Sequence, residues 1–207
     1  MIEDRHAELR FTPRQQAVLE QALHLLVEGG EKAVTTAGIA RAASCSKESL
    51  YKWFGDREGL LSAMIAYQAS KVRTFESAGH RLSATELKDH LRAFAVDLLA
   101  VLAGDVSLAL NRLAIGRAGR DGVKLGPMLL SRGRAQIDQR ARALLEDGRR
   151  SGLLVFDDGD DAYRVFYGLI VGDWHVRMLL GDRLEPKDFA ERASKAVDRF
   201  WALFATE

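Results

Sequence analysis

Cysteine is almost missing from this 207-residue chain: Cys45 stands alone, so no disulfide can form within it and packing must hold the fold. Cys45 itself reads as a small buried hydrophobe, since a redox sensor would need a resolving partner. Proline is scarce as well, with three in the chain, which leaves long stretches free to run as helix. No stretch approaches the roughly 18 apolar residues that span a bilayer, and the opening MIEDRHAELRFTP lacks the apolar core of a signal peptide. A cytoplasmic protein with no membrane partner is the expectation. An excess of charge is also lacking. Thirty Lys and Arg meet 29 Asp and Glu, a net of +1, so any signal for a charged partner has to be local. Nothing supplies a nucleophile at plausible spacing, a metal-ligand cluster or a phosphate-cradling glycine loop, so no catalytic residue, metal or cofactor is expected.

What is present is helical periodicity over a composition that is 47% hydrophobic. Thr12-Pro13-Arg14-Gln15 is a capping signature, with Thr as N-cap, Pro at the first helical position and Gln three residues past the cap. The helix behind it carries Val18, Leu19, Ala22, Leu25 and Leu26 and should stop at Gly29-Gly30. Thr35 or Thr36 opens a short helix, Ser46 another, and Asp56 a longer one reaching about residue 77. The stretch SAGHRLSATE is the best boundary, with Ser83 and Glu86 forming a second capping box. Further helices are expected over about 106–118, 127–150, 160–180 and 186–204. The fold class is therefore all-α: an N-terminal three-helix unit, residues 1–77, and a larger helical unit, residues 78–207.

Residues 35–54, TTAGIARAASCSKESLYKWF, have the makings of a helix-turn-helix. Ile39, Ala40, Ala43 and Leu50 fix the angle between two short helices, and the alanines permit close approach. Lys47 and Ser49 lie at the N-terminal end of the second helix, the end that meets base edges in a major groove, with Glu48 able to accept from a cytosine amino group. Ser46 caps that end. Around it, Thr35 and Thr36 offer hydroxyls at a helix N-terminus, Tyr51 a hydroxyl, and Lys52 and Arg57 charge, all suited to phosphate. Residues 41–57 hold four cations (Arg41, Lys47, Lys52, Arg57) against Glu48 and Asp56, a local net of +2.

The same residues resemble the TetR family of bacterial transcriptional regulators. Thr35-Thr36, Ile39-Ala40-Arg41-Ala42-Ala43, Ser46 through Phe54, and Arg57-Glu58-Gly59-Leu60 meet the family pattern in order. Two features depart from it. Ser44-Cys45 stands where the family has Gly-Val, which predicts a strained turn if positive φ is needed there, and Gly38 and Gly59 should loosen their helices slightly. The resemblance implies a homodimer on a palindromic DNA operator, acting as a repressor released by a small-molecule effector. From about residue 83 onward the chain is similar to the AefR-like subgroup's C-terminal domain, through RLAIGRAGRDGVKLGPMLLSRGRAQ and GLIVGDWHVRMLLG.

In that second half, Asn111 falls on an apolar arc, and Asp173 and Arg177 form an i,i+4 pair near Phe166, Ile170 and Trp174. These six are the expected ligand-pocket residues, with a structural hydrogen bond and an intrahelical ion pair as the plainer roles of Asn111 and the Asp173–Arg177 pair. Gly168, Gly172, His175 and Leu179 make a stripe of one helix face, and Val197, Phe200 and Phe204 a stripe of the last helix. Together they are the expected dimer interface. Residues 112–152 hold ten cations against four acids, a net of +6, which reads as the solvated face of a long helix.

Overall fold

Thr12 starts the first helix as its neighbours require: its hydroxyl accepts from the Gln15 backbone N–H, and the Gln15 side chain accepts from the Thr12 N–H at 2.8 Å. The computed structural model describes residues 11–75, 80–118 and 125–206, and among them every element is helical apart from one isolated bridge between Leu154 and Ala205. Helix α1 spans Pro13–Ala33, with a kink at Gly30. Then come α2 (Thr36–Ala42), α3 (Lys47–Phe54) and α4 (Arg57–Ala69). The second capping box opens α5 (Ala84–Ala103), which is followed by α6 (Asp105–Arg117). Helix α7 (Leu125–Met128) passes through a π-helical stretch, Leu129–Arg134, into α8 (Ala135–Arg150). The chain closes with α9 (Gly159–Val171), α10 (Trp174–Leu179) and α11 (Pro186–Phe204).

Two apolar cores result. The first gathers Leu19, Ile39, Leu50 and Met64 from α1 to α4, but Leu110 of α6 and Leu125 of α7 complete it. The second is built from α5, α8, α9 and α11 around Phe94, Phe166 and Phe200, with the Phe166 ring centre 4.9 Å from that of Phe200. Removing one such ring should cost about 3–5 kcal/mol. The end of α4, through Ala69, and Val72 just after it already belong to this second core. The expected boundary between residues 77 and 78 lies outside the described residues.

Three helices differ from their expected lengths. Helix α1 does not stop at Gly29-Gly30 but continues across the kink at Gly30 to Ala33. Helix α4 ends at Ala69 rather than near 77. The expected helix 160–180 is broken at Gly172, whose φ of +52° favours glycine, so α9 and α10 are separate. Periodicity could not show this, because the apolar pattern continues through the break.

The cations of residues 112–152 are mostly absorbed by specific partners rather than spread over a solvated face. Arg142, Arg149 and Arg150 pair with Asp160, Glu146 and Asp147. Arg112 donates to the Met178 and Leu179 carbonyls, and Arg140 to those of Ala69 and Val72. Outside that stretch, Arg192 donates to the Ile170 and Val171 carbonyls. Each of these three meets carbonyls at or just past the C-terminal end of a helix, where the dipole favours positive charge.

Candidate nucleic-acid interface and the cavity behind it

The turn between α2 and α3 needs positive φ at Ser44, which adopts +49°. The strain expected of a serine at this position is therefore present, and something holds it. Arg14 of α1 does so, donating to the Ala43 and Ser44 carbonyls at 2.8 and 2.7 Å. Sequence reasoning missed Arg14, since nothing local marks a contact 29 residues away. The expectation that Gly59 merely loosens its helix is corrected. A Cβ there would lie 1.9 Å from the Phe54 carbonyl oxygen, so glycine is what lets α4 start against the end of α3.

At about 100° per residue, Lys47, Glu48, Tyr51 and Lys52 occupy one arc of α3 of about 140°, and Leu50 and Phe54 fall outside it. The burial follows: the first four are exposed, Tyr51 at 56%, and the latter two are buried. Trp53 is half-buried edge-on to Phe54. Ser46 caps α3, and its hydroxyl lies 3.1 Å from that of half-buried Ser49, so the two serines bond to each other. Hydrogen bonds from its own backbone N–H and from Ser46 hold the Glu48 carboxyl below its ordinary pKa. Thr35 is exposed and caps α2, accepting from the Gly38 N–H at 3.0 Å, and Thr36 beside it is half-buried. Among the described residues Arg41, Lys47 and Lys52 enter no ion pair, which leaves their charge to solvent or to a polyanion.

Arg57 does not stand with them. Its guanidinium pairs with Glu31 at 3.0 Å, and Arg117, at the end of α6, pairs with the other oxygen of the same carboxylate. The expected phosphate clamp is instead part of a three-residue junction that ties α1, α4 and α6 together.

Behind the helix-turn-helix lies a cavity of about 150 Å³. Its walls come from α4 (Ile65, Gln68), α5 (Leu98, Leu102) and α6 (Leu110, Asn111), from the π-helical stretch (Gly133, Arg134), and from Asp138, Tyr167 and His175. Of the six expected pocket residues only Asn111 lines it, and its amide donates to the Ser107 carbonyl at 2.8 Å. Phe166 and Ile170 are fully buried in the second core. Exposed Asp173 sits at the break before α10, and Arg177 pairs with Asp182 at 2.7 Å rather than with Asp173. Trp174 is covered by two guanidiniums, those of Arg177 and Arg192.

The expected interface residues scatter in the same way. Val197 and Phe200 are fully buried inside their own subunit, so they cannot meet another chain at this face. Phe204 and Leu179 are half-buried against the second core, and His175 faces the cavity. Gly168 and Gly172 are exposed, and a Cβ at Gly168 would meet nothing within 4 Å. An apolar stripe has the same spacing whether it faces its own core or a second chain.

Burial and the Arg134 charge push the His175 pKa below its ordinary 6.5. Burial and the Asp138 carboxylate, which accepts from its hydroxyl, raise that of Tyr163 far above 10. Tyr67 is pushed up to about 12 by burial and by its 2.5 Å bond to Glu20 of α1.

The family model described as bacterial regulatory proteins, tetR family, matches residues 18–64, and that of the AefR-like transcriptional repressor C-terminal domain matches residues 89–206. A TetR transcriptional regulator from Agrobacterium tumefaciens is 68% identical, over 95% of this chain and 97% of that one, with a TM-score of 0.84. A TetR-family regulator from Mesorhizobium loti shares the fold at 20% identity and a TM-score of 0.71, over 93% of this chain and 97% of its own. The uncharacterized HTH-type transcriptional regulator YvkB of Bacillus subtilis is 33% identical over 58 residues, which are 28% of this chain and 31% of that relative.

Proposed function

The chain belongs to the TetR family of DNA-binding transcriptional regulators, and from that premise we propose that it acts as a homodimer on a palindromic operator, as a repressor released by a small effector. The observation that carries the DNA-facing part is the exposed arc of α3, where Lys47, Glu48, Tyr51 and Lys52 stand clear of the core at a helix made rigid by Ser46, Arg14 and Leu50. Lys47 and Glu48 are at the end that enters the groove and read bases, with Ser49 behind them. Thr35, Thr36, Tyr51 and Lys52 frame the phosphates, and Arg57 acts indirectly, by fixing α4 through Glu31. A second subunit is supported by what remains exposed on the C-terminal helices: the open space over Gly168 and the apolar side chains of Val176, Leu180 and Leu203. Two reading helices would then meet half-sites about 34–36 Å apart.

The effector part rests on the cavity, which touches α4 on one side and α6 on the other, the two helices that Arg57 and Arg117 join to Glu31. An occupant that displaces either helix displaces the base of the helix-turn-helix. A regulator with no effector is the second reading, and the small cavity favours it, since ligand sites commonly enclose some 300 Å³ or more. The polar side chains among the lining residues, such as Asn111, Arg134 and Asp138, weigh against that second reading. Selecting bound fragments from a random DNA pool with the purified protein tests the proposal. An enriched inverted repeat is expected, and enrichment of single half-sites or of no sequence contradicts it.

A further inference from the structure

Helix α2 ends in a cap that glycine usually serves, with serine in its place. The Cys45 N–H bonds to the Ala40 carbonyl at 2.9 Å and the Ser44 N–H to that of Arg41 at 3.3 Å, the two bonds of a Schellman cap whose left-handed residue is Ser44. Among the described residues Ser44 is the one non-glycine with positive φ. Its Cβ crowds the following carbonyl, so the conformation persists where the surroundings hold it. The carbonyls of Ala43 and Ser44 have no backbone partner among the described residues, and both accept from a single nitrogen of Arg14, Nη2, at 2.8 and 2.7 Å.

Arg14 is itself firmly mounted. It lies in the first turn of α1, which Pro13 and the Thr12–Gln15 capping box fix and which Val18 and Leu19 anchor in the core just beyond. At the other side of the turn, Ser46 is the N-cap of α3 and is followed at once by Lys47 and Glu48. Leu50 and Phe54 hold the body of α3 in the core. Its first turn is therefore set by the backbone that leads into it, and a change of dihedrals at Ser44 moves the two residues that meet bases. Arg14 is exposed and enters no ion pair among the described residues, so direct contact with a phosphate is the competing role for its charge.

We propose that Arg14 is a positioning residue for base reading: it holds the Ser44 turn in its left-handed form and so fixes the end of α3 that carries Lys47 and Glu48. The inference rests on the reading of α3 as the base-facing helix, and it makes Arg14 and Ser44 a coupled pair. With glycine at residue 44 the turn keeps its shape unaided, and Arg14 becomes dispensable.

Anisotropy titrations of the full-length wild type, Arg14→Ala, Ser44→Gly and the double variant test this, each on the selected operator and on an unrelated duplex of equal length. In Arg14→Ala the ratio of operator to unrelated affinity should fall about tenfold, since a left-handed serine left unheld is disfavoured by about that factor and the released turn does not present α3. In the Ser44→Gly background the same replacement should change the ratio less than about twofold. Exchange of the Cys45 amide hydrogen, measured without DNA, should quicken about tenfold in Arg14→Ala and slow again in the double variant. Arg14→Met, which keeps the stem and no donor, stands in should the alanine variant fold poorly. An unchanged ratio in Arg14→Ala would reduce Arg14 to a structural role. Equal losses on both duplexes in both backgrounds would make it a phosphate contact, and unaltered Cys45 exchange would show that it does not hold the turn; each overturns the proposal. A wild-type protein that prefers neither duplex would instead sink the reading of α3, and the positioning role with it.

Discussion

Glu31 is the residue through which the DNA-binding helices are expected to feel the rest of the subunit, and its removal should be measurable. Its carboxylate is 20% exposed and takes Arg57 of α4 on one oxygen and Arg117 of α6 on the other, with the two guanidinium side chains 51% and 37% exposed. Half-exposed ion pairs are worth about 0.2–1 kcal/mol each, the Arg57 pair toward the low end and the Arg117 pair toward the high end. Glu31→Ala also leaves two cations facing one another. Together these effects give about 1–2 kcal/mol of lost stability, and a melting temperature lower by roughly 2–8 °C. Glu31→Gln, which keeps an acceptor but no charge, should lose about half as much. The sharper assay is a double-mutant cycle of Glu31→Ala with Arg117→Ala by urea unfolding. A coupling of about 0.5–1 kcal/mol is expected, shrinking at high salt as the pair is screened. Coupling below about 0.2 kcal/mol, or coupling indifferent to salt, would refute the claim that this carboxylate joins α1 to α6 electrostatically.

Ser44→Gly should raise stability by about 0.5–1 kcal/mol, because the φ of +49° costs serine more than glycine's extra unfolded freedom costs the variant; an unchanged or lower urea midpoint would show that the turn stores no strain. Gly59→Ala should destabilise by about 1–3 kcal/mol or more, since a Cβ 1.9 Å from the Phe54 oxygen forces α3 and α4 apart, and a melting curve that matches wild type would count against that close approach. The depressed pKa of His175 means that the unfolded chain binds its proton more readily than the folded one. Stability contributed by the neutral ring is complete above the ordinary value of 6.5 and is lost as pH falls through the lower folded value. The drop in melting temperature between about pH 7.5 and about pH 5.5 should therefore be smaller in His175→Gln than in wild type, and equal drops would show that this histidine is not the group titrating.

Much of the fold was legible because its signals are local. Thr12 with Gln15 and Ser83 with Glu86 cap helices that begin where those residues fall, and the pattern from Thr35 to Leu60 places two short helices and a turn by its own chemistry. What could not be read depends on contacts distant in sequence. Arg14 reaches across to Ala43 and Ser44, and Arg57 finds a carboxylate 26 residues earlier in the chain. Gly172 looked like a small residue in a packing stripe, and its positive φ, which ends α9, leaves no mark on apolar spacing. Val197 and Phe200 have the spacing of an interface and the burial of a core. Gln68 sits in the apolar run LLSAMIAYQA, where one amide reads as a helix surface residue until the cavity beside it is seen.

The central claim is that the exposed arc of α3 reads DNA, two copies at a time, within a field of unpaired cations. Anisotropy titration of the selected duplex, from about 50 to about 200 mM salt, tests this most directly. If each subunit brings two phosphate-contacting cations, log affinity should fall against log salt with a slope of about −4. The complex should hold two chains per duplex, and Lys47→Ala should change the preferred base in each half-site while Tyr51→Phe weakens every site alike. Affinity indifferent to salt, or a Lys47→Ala variant with unaltered base preference, would contradict the account.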